Sequence, residues 1–281
     1  MSAAIFAPDV PQVAVVLSLH QKTALLQVLT REAGLHLQTD ATFDTDSLGS
    51  FSRATPRQGD QRQAALQKAR LAASRNQQRF GLGSEGSYAA DPRYPWICLG
   101  LELVTLWDAQ TQRAISGSAQ GPSPYRSQYC QRWADVVAFA RQVGFPQQWL
   151  LLSPGAGIPA VAAYSGIRDW MQLQQLADAA LSSAGALWLE TDYRAHACPG
   201  RRPLIAQAAA DLARRLRTRC PQCQAADFSV SALVPGARCA DCGLPTSQPC
   251  QRVCSCSCCG HQTVQAMPEP ADPQHCQHCN P

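Results

Sequence analysis

The chain has 281 residues, 46% of them hydrophobic, and a net charge of +4. That is enough apolar material for one large core or two modest ones, which excludes a wholly disordered chain. The charge is too small to argue for nucleic acid on its own. Opening MSAAIFAPDV lacks a basic n-region and a long apolar h-region, so no signal peptide is expected. No uninterrupted apolar stretch reaches about 18 residues, so no membrane partner is expected either. Fourteen cysteines without a secretion signal point to metal rather than disulfides, and to a reducing cytoplasm. Of the 24 basic residues only Lys22 and Lys68 are lysines. An arginine does not replace a compact ammonium placed against a phosphate, so both positions draw attention.

Gln12 to Leu19 (QVAVVLSL) reads as a buried first strand, and His20 to Ala33 as an amphipathic helix. The junction holds Ser18, His20 and Lys22, a hydroxyl, an imidazole and an ammonium that suit an anion; a plain helix cap is the simpler alternative. Leu35 to Thr42 alternates like a second strand. Asp44 and Asp46 follow in a loop, where two carboxylates suit either a hard cation such as Mg²⁺ or an Asx turn. Gly59 to Gln78 reads as a long helix with Ala65, Ala69 and Ala72 on one side and Lys68 beside them. Phe80 to Ser87 (FGLGSEGS) is a glycine-interrupted strand with Glu85 among small neighbours, the setting of a pocket or of a turn.

Trp96 to Asp108 is strongly strand-like around Glu102, which needs a partner if buried. Gln112 to Ser118 suits its hairpin return. Tyr125 to Val143 is expected as a helix, Gln147 to Leu152 as a strand and Asp169 to Ser182 as a helix. Ala186 to Leu189 is a strand that ends in the polar run Glu190, Thr191, Asp192, Arg194 and His196. Pro199 and Gly200 then turn the chain into a helix from Arg201 to Arg217. Acids at a strand end, faced by the start of a helix, are a common α/β site layout. Helices and strands alternate throughout, so the expected class is α/β: a mixed central sheet flanked by helices over 1–219, then a small tandem zinc-ribbon module over 220–281.

That module is announced by spacing. Cys220-x2-Cys223 precedes Cys239-x2-Cys242, and Cys256-x2-Cys259 precedes Cys276-x2-Cys279. Each successive pair of knuckles suits one closed, structural zinc site. Cys250, Cys254 and Cys258 are left without a role. Residues 220–281 carry two arginines against four acids, and two Zn²⁺–thiolate sites would bring the module to −6. That is the wrong sign for phosphate, which favours a protein partner over RNA. The arginines at 214, 215, 217 and 219 are expected to face this anionic module.

Two resemblances follow from these motifs. Asp44-Thr45-Asp46, Ser84-Glu85-Gly86-Ser87-Tyr88, Glu190-Thr191-Asp192-x-Arg194-Ala195-His196 and the cysteine tail together resemble an uncharacterised bacterial family, a domain of unknown function. Residues 12–108 are similar to the house-cleaning pyrophosphatases that act on inosine and xanthosine triphosphates. That likeness implies phosphate contacts from Ser18, His20, Lys22 and Lys68, and a metal contact from Glu85. The expected function is therefore a Mg²⁺- or Mn²⁺-dependent phosphoanhydride hydrolase acting on a nucleotide or phosphorylated small molecule. Asp44, Asp46, Glu85, Glu190 and Asp192 would ligate metal and orient water; Lys22, Arg194, His196 and Arg201 would hold phosphate. The alternatives are a non-enzymatic ligand-sensing or protein-interaction module with structural zinc, and an RNA-associated zinc-ribbon factor.

Overall fold

The computed structural model describes residues 12–18, 22–43, 45–48, 59–91, 94, 96–157 and 161–281. It divides into two compact units, one of Val10–Ala213 and one that includes Arg214–Pro281. No helix among the described residues is long and apolar enough to cross a membrane.

The first unit opens with β1 (Gln12–Leu17), a 3-10 turn over Lys22–Leu26, α1 (Gln27–Ala33) and β2 (Leu35–Asp40). After α2 (Gln61–Arg75) come three long strands, β3 (Phe80–Ala90), β4 (Cys98–Asp108) and β5 (Arg113–Pro122). These form a five-stranded sheet in the order β2-β1-β3-β4-β5. β1 runs parallel to both β2 and β3, whereas β3, β4 and β5 are an antiparallel meander. The mixed sheet is thus the α/β architecture expected from the alternation of elements.

Helix α2 covers one face of this sheet. Asp60 caps it: its carboxylate accepts from the Gln63 amide, and the Gln63 side chain accepts from the Asp60 amide, a closed capping box. The helix comes very close to β3. A Cβ on Gly81 or Gly83 would overlap the backbone of Ala69 or Ala65. Glycine on the strand and alanine on the helix remove the side chains that otherwise hold a helix about 10 Å from a sheet. The other face is covered in the same way, since a Cβ on Gly117 of β5 would overlap Ala208 and Leu212. These belong to α5 (Arg202–Arg217), which follows a 3-10 turn at Pro199–Arg201.

A second sheet, order β6-β9-β7-β8, completes the unit. It comprises β6 (Ser127–Cys130), β7 (Leu150–Pro154), β8 (Tyr164–Ile167) and β9 (Leu187–Thr191), all antiparallel. α3 (Trp133–Gln142) and α4 (Trp170–Ala184) pack on it through Val136, Phe139, Leu173, Ala177, Leu187 and Leu189. The helix expected over 125–143 is therefore a strand followed by a shorter helix. Tertiary pairing overrides the helical pattern there: Ser127 to Cys130 hydrogen-bonds along β9, and Cys130 is fully buried. The helix starts only where the Asp135 carboxylate accepts the amides of Gln131 and Arg132.

The second unit is built on β10 (Ser229–Pro235), β11 (Pro249–Ser255) and β12 (Gln262–Ala266), an antiparallel three-stranded sheet. Four cysteine knuckles lie at its strand ends.

Candidate functional site

The knuckles repeat one local design. The carbonyl of the first cysteine accepts from the amide four residues on, at Cys220/Gln224, Cys239/Gly243, Cys256/Gly260 and Cys276/Asn280. Gln224, Gly243 and Gly260 adopt positive φ, the conformation in which glycine costs least. Two groups of four cysteines result, Cys220, Cys223, Cys256 and Cys259, and Cys239, Cys242, Cys276 and Cys279. Within each group all the sulfurs lie within 4.8 Å of one another, and the shortest gaps are 3.6 to 3.8 Å. A tetrahedral zinc with Zn–S of about 2.3 Å requires S···S of roughly 3.8 Å, so both donor sets fit zinc.

The eight ligands are those expected from spacing, but their grouping is corrected. Knuckles one and three share a site, as do two and four; neighbours in sequence do not. The sheet explains it. β10 leaves the first knuckle and β11 returns to the third, with Ser229 paired to Ser255, so these two meet at one end. The second and fourth knuckles follow the opposite strand ends, marked by the Pro235–Pro249 and Gln251–Ala266 pairs. At the first knuckle Arg215 bonds Asp227 at 3.0 Å and Arg219 reaches the Gln224 carbonyl. Those arginines serve their own unit.

In the first unit the two faces of β3 carry two different ion pairs. On the α2 face, Lys68 Nζ meets Glu85 Oε2 at 2.6 Å, with both residues less than a tenth exposed. Gln61 fastens this corner: its amide donates to the carbonyls of Glu85 and Leu101, and its oxygen accepts from Ser87. β1 ends beside it. Val16 is level with Leu82, and Val15 and Leu17 pack on Ala72 of α2, so by alternation buried Ser18, the first residue after β1, belongs to the opposite face of the sheet from Glu85. The Ser18 amide donates to the Asp40 carbonyl at the end of β2, and the 3-10 turn begins at Lys22. The pair thus lies at the carboxyl ends of the parallel strands, where open α/β sheets bind ligands.

On the α5 face, Glu102 is fully buried and receives Arg201 Nε at 2.7 Å and Nη2 at 3.0 Å. Arg201 also donates to the Tyr193 carbonyl, and Tyr88 Oη to Glu102 at 2.7 Å. Gly86 makes room, because a Cβ there would overlap the Arg201 guanidinium and the Glu102 carboxylate. Burial alone would lower the Arg201 pKa; the Glu102 charge more than offsets it and the value is raised. Burial likewise raises the Tyr88 and Tyr193 hydroxyls and the Cys198 thiol, so all three stay protonated. A tyrosine stack continues the network: Tyr88 lies on Tyr193 at 4.4 Å and Tyr193 near Tyr125 at 5.1 Å, while Tyr125 Oη donates to Glu190 at 2.9 Å.

The residues of the Glu190–His196 run turn inward. Asp192 is fully buried and holds Arg194 through Nε and Nη2, at 3.1 and 2.6 Å. His196 packs its ring edge-on against Trp149 at 5.1 Å. Glu190, Asp192, Arg194 and Arg201 therefore sit apart from Glu85 and Lys68, with β3 between the Arg201 pair and the Lys68 pair. The two groups, expected to share one site, lie on opposite faces of the sheet. Asp44 and His20 lie outside the described residues, as do the side chains of Lys22 and Asp46. Among the described residues, the two cysteine groups are the only clusters of three or more metal-ligating side chains. Reading the sequence flagged Glu102 but could not supply Arg201, 99 positions away, nor the Tyr88–Tyr193 stack.

No curated protein and no solved structure matches the chain. A family model does: the domain of unknown function DUF6671 matches residues 68–281, from the lysine of the Lys68–Glu85 pair to the last residue, and the chain belongs to that family.

Proposed function

We propose that the chain is a divalent-cation-dependent phosphoanhydride hydrolase that acts on a nucleotide or a related phosphorylated small molecule, with Lys68 and Glu85 at its centre. The observation that carries this reading is the buried 2.6 Å Lys68–Glu85 contact at the carboxyl end of β1. An ammonium and a carboxylate held together away from water are costly unless they serve each other or a ligand. The lysine carries its ammonium on a flexible four-carbon stem, so Lys68 can turn to a phosphate oxygen while Glu85 turns to a cation. Ser18 and the turn that begins at Lys22 follow the same end of β1. The likeness of residues 12–108 to nucleoside triphosphate pyrophosphatases agrees with this placement.

Glu85 suits Mg²⁺ or Mn²⁺ as a single carboxylate ligand, because Mg²⁺ is commonly held by one or two carboxylates plus substrate phosphates. A bound ion would neutralise charge on the phosphates. Lys68 would then hold a phosphate oxygen in line, and Glu85, held by Gln61 and the β3–β4 ladder, would keep the site in register. The cysteine unit is assigned a structural role, with two zinc ions.

One observation favours the binding-module alternative. Glu102, Asp108 and Asp192, the most buried carboxylates, are each spent on an arginine within the fold. The two readings separate in one assay. Release of phosphate or pyrophosphate from a nucleoside triphosphate panel with Mg²⁺ or Mn²⁺, abolished by Glu85→Gln, supports hydrolysis. Saturable nucleotide binding without turnover supports a sensor.

A further inference from the structure

A cavity of about 500 Å³ lies on the second sheet, within the size range of small-molecule sites. Its wall includes Arg126, Gln142, Gln147, Gln148, Thr191 and Gly200, and no carboxylate. Two of these are fixed in a way that specifies a ligand. Thr191 Oγ1 accepts from the Arg126 amide at 3.1 Å and lies 3.4 Å from the Arg126 carbonyl, to which it donates. Arg126 Nη1 is tied to the carbonyls of Ser123 and Tyr125, at 3.4 and 2.6 Å. The guanidinium is thus held by one nitrogen, while Nε and Nη2 have no acceptor among the described residues. That edge is the fork that grips an oxyanion in two places.

Gln148 is 6% exposed, and both its amide hydrogens are spent, on the carbonyls of Trp149 at 2.8 Å and Asp192 at 3.1 Å. Two carbonyl partners fix which end of the amide is nitrogen. What Gln148 presents is therefore its oxygen, an acceptor with no protein donor among the described residues. A ligand that satisfies both groups carries an oxyanion for Arg126 and a hydroxyl for Gln148. The exposed Gln142 and Gln147 amides can meet further hydroxyls.

We propose that this cavity is a second site, which binds a small hydroxylated phosphate ester of the sugar-phosphate class. It is distinct from the Lys68–Glu85 pair and does not depend on the hydrolase reading. The Glu190–Gly200 segment then has a concrete part. Its charged residues pair inward and hold the loop, and its two ends, Thr191 and Gly200, wall the cavity.

Isothermal titration of the full chain with ribose 5-phosphate, ribose, inorganic phosphate and malate tests the proposal. Ribose 5-phosphate should bind one to one and ribose should not. Arg126→Ala should weaken binding at least tenfold and Gln148→Leu by a smaller factor, with unchanged thermal unfolding for the exposed Arg126. Lys68→Met should leave binding intact. No binding by any probe, malate bound more tightly than ribose 5-phosphate, or affinity unmoved by Arg126→Ala would each overturn it. Binding lost in Lys68→Met but kept in Arg126→Ala would also overturn it and would place the ligand at the hydrolase centre instead.

Discussion

Two buried ion pairs lie on opposite faces of the β3–β4 pair, and they are built differently. Glu102–Arg201 is bidentate, is further fastened by Tyr88 and the Tyr193 carbonyl, and lies under α5, between the five-stranded sheet and the Tyr193 loop. Lys68–Glu85 has a short nitrogen–oxygen contact, a lysine rather than an arginine, and a position beside the end of β1. A planar fork locked by three hydrogen bonds, to Glu102 and the Tyr193 carbonyl, cannot turn to a ligand without breaking them, whereas an ammonium on a flexible stem can. What the contrast teaches is that burial of a charge does not mark a site by itself; the proposed reading turns on whether its partner can be exchanged.

Mutation can break that comparison most sharply at Glu102–Arg201. Arg201→Met should cost about 3–5 kcal/mol, because it leaves Glu102 buried without its guanidinium. Urea unfolding measures it, and Glu102→Leu added to Arg201→Met should recover much of the loss. If Lys68→Met destabilises the chain as strongly, the two pairs are alike and the distinction fails. Metal content gives the next largest effect. With the interleaved grouping, Cys220 and Cys256 serve one ion, so Cys220→Ser with Cys256→Ser should leave one zinc per chain. Grouping by sequence order predicts none, and elemental analysis decides between them.

A smaller effect concerns acid. Hydrogen bonds from the Thr42 side chain and amide, then from Asn76, lower the Asp40 pKa to about 2. Its folded value lies below its unfolded one, so its contribution to stability is present above about pH 4 and is lost as pH falls towards 2. Asp40→Asn should flatten that part of the stability curve and change little at neutral pH, as thermal unfolding between pH 2 and 7 would register.

Local pattern made much of this legible. Apolar, alternating and glycine-interrupted runs marked the five strands of the first sheet, the alanine side of α2 was visible at Ala65, Ala69 and Ala72, and C-x2-C spacing marked all eight zinc-fitting ligands. Glu85 stood out among small residues, and Gly81 and Gly83 before it let α2 approach closely enough for Lys68 to reach it. What stayed hidden depended on partners far along the chain. β6 looked helical because its pairing with β9 lies some sixty residues on, and Arg201 looked like a ligand cation because Glu102 lies 99 residues before it. The grouping of knuckles depended on the β10–β11–β12 meander, which cysteine spacing does not encode.

The central claim is that Lys68 and Glu85 do chemistry while Glu102 and Arg201 hold the fold. Phosphate and pyrophosphate release from nucleoside triphosphates with Mg²⁺, compared between the native chain and folded Glu85→Gln, tests it most directly. The account predicts turnover by the native chain and a loss of at least about 100-fold in the variant, within the range for a residue that positions reacting groups. Turnover unchanged by Glu85→Gln, or no turnover of any nucleotide by the native chain, would contradict it.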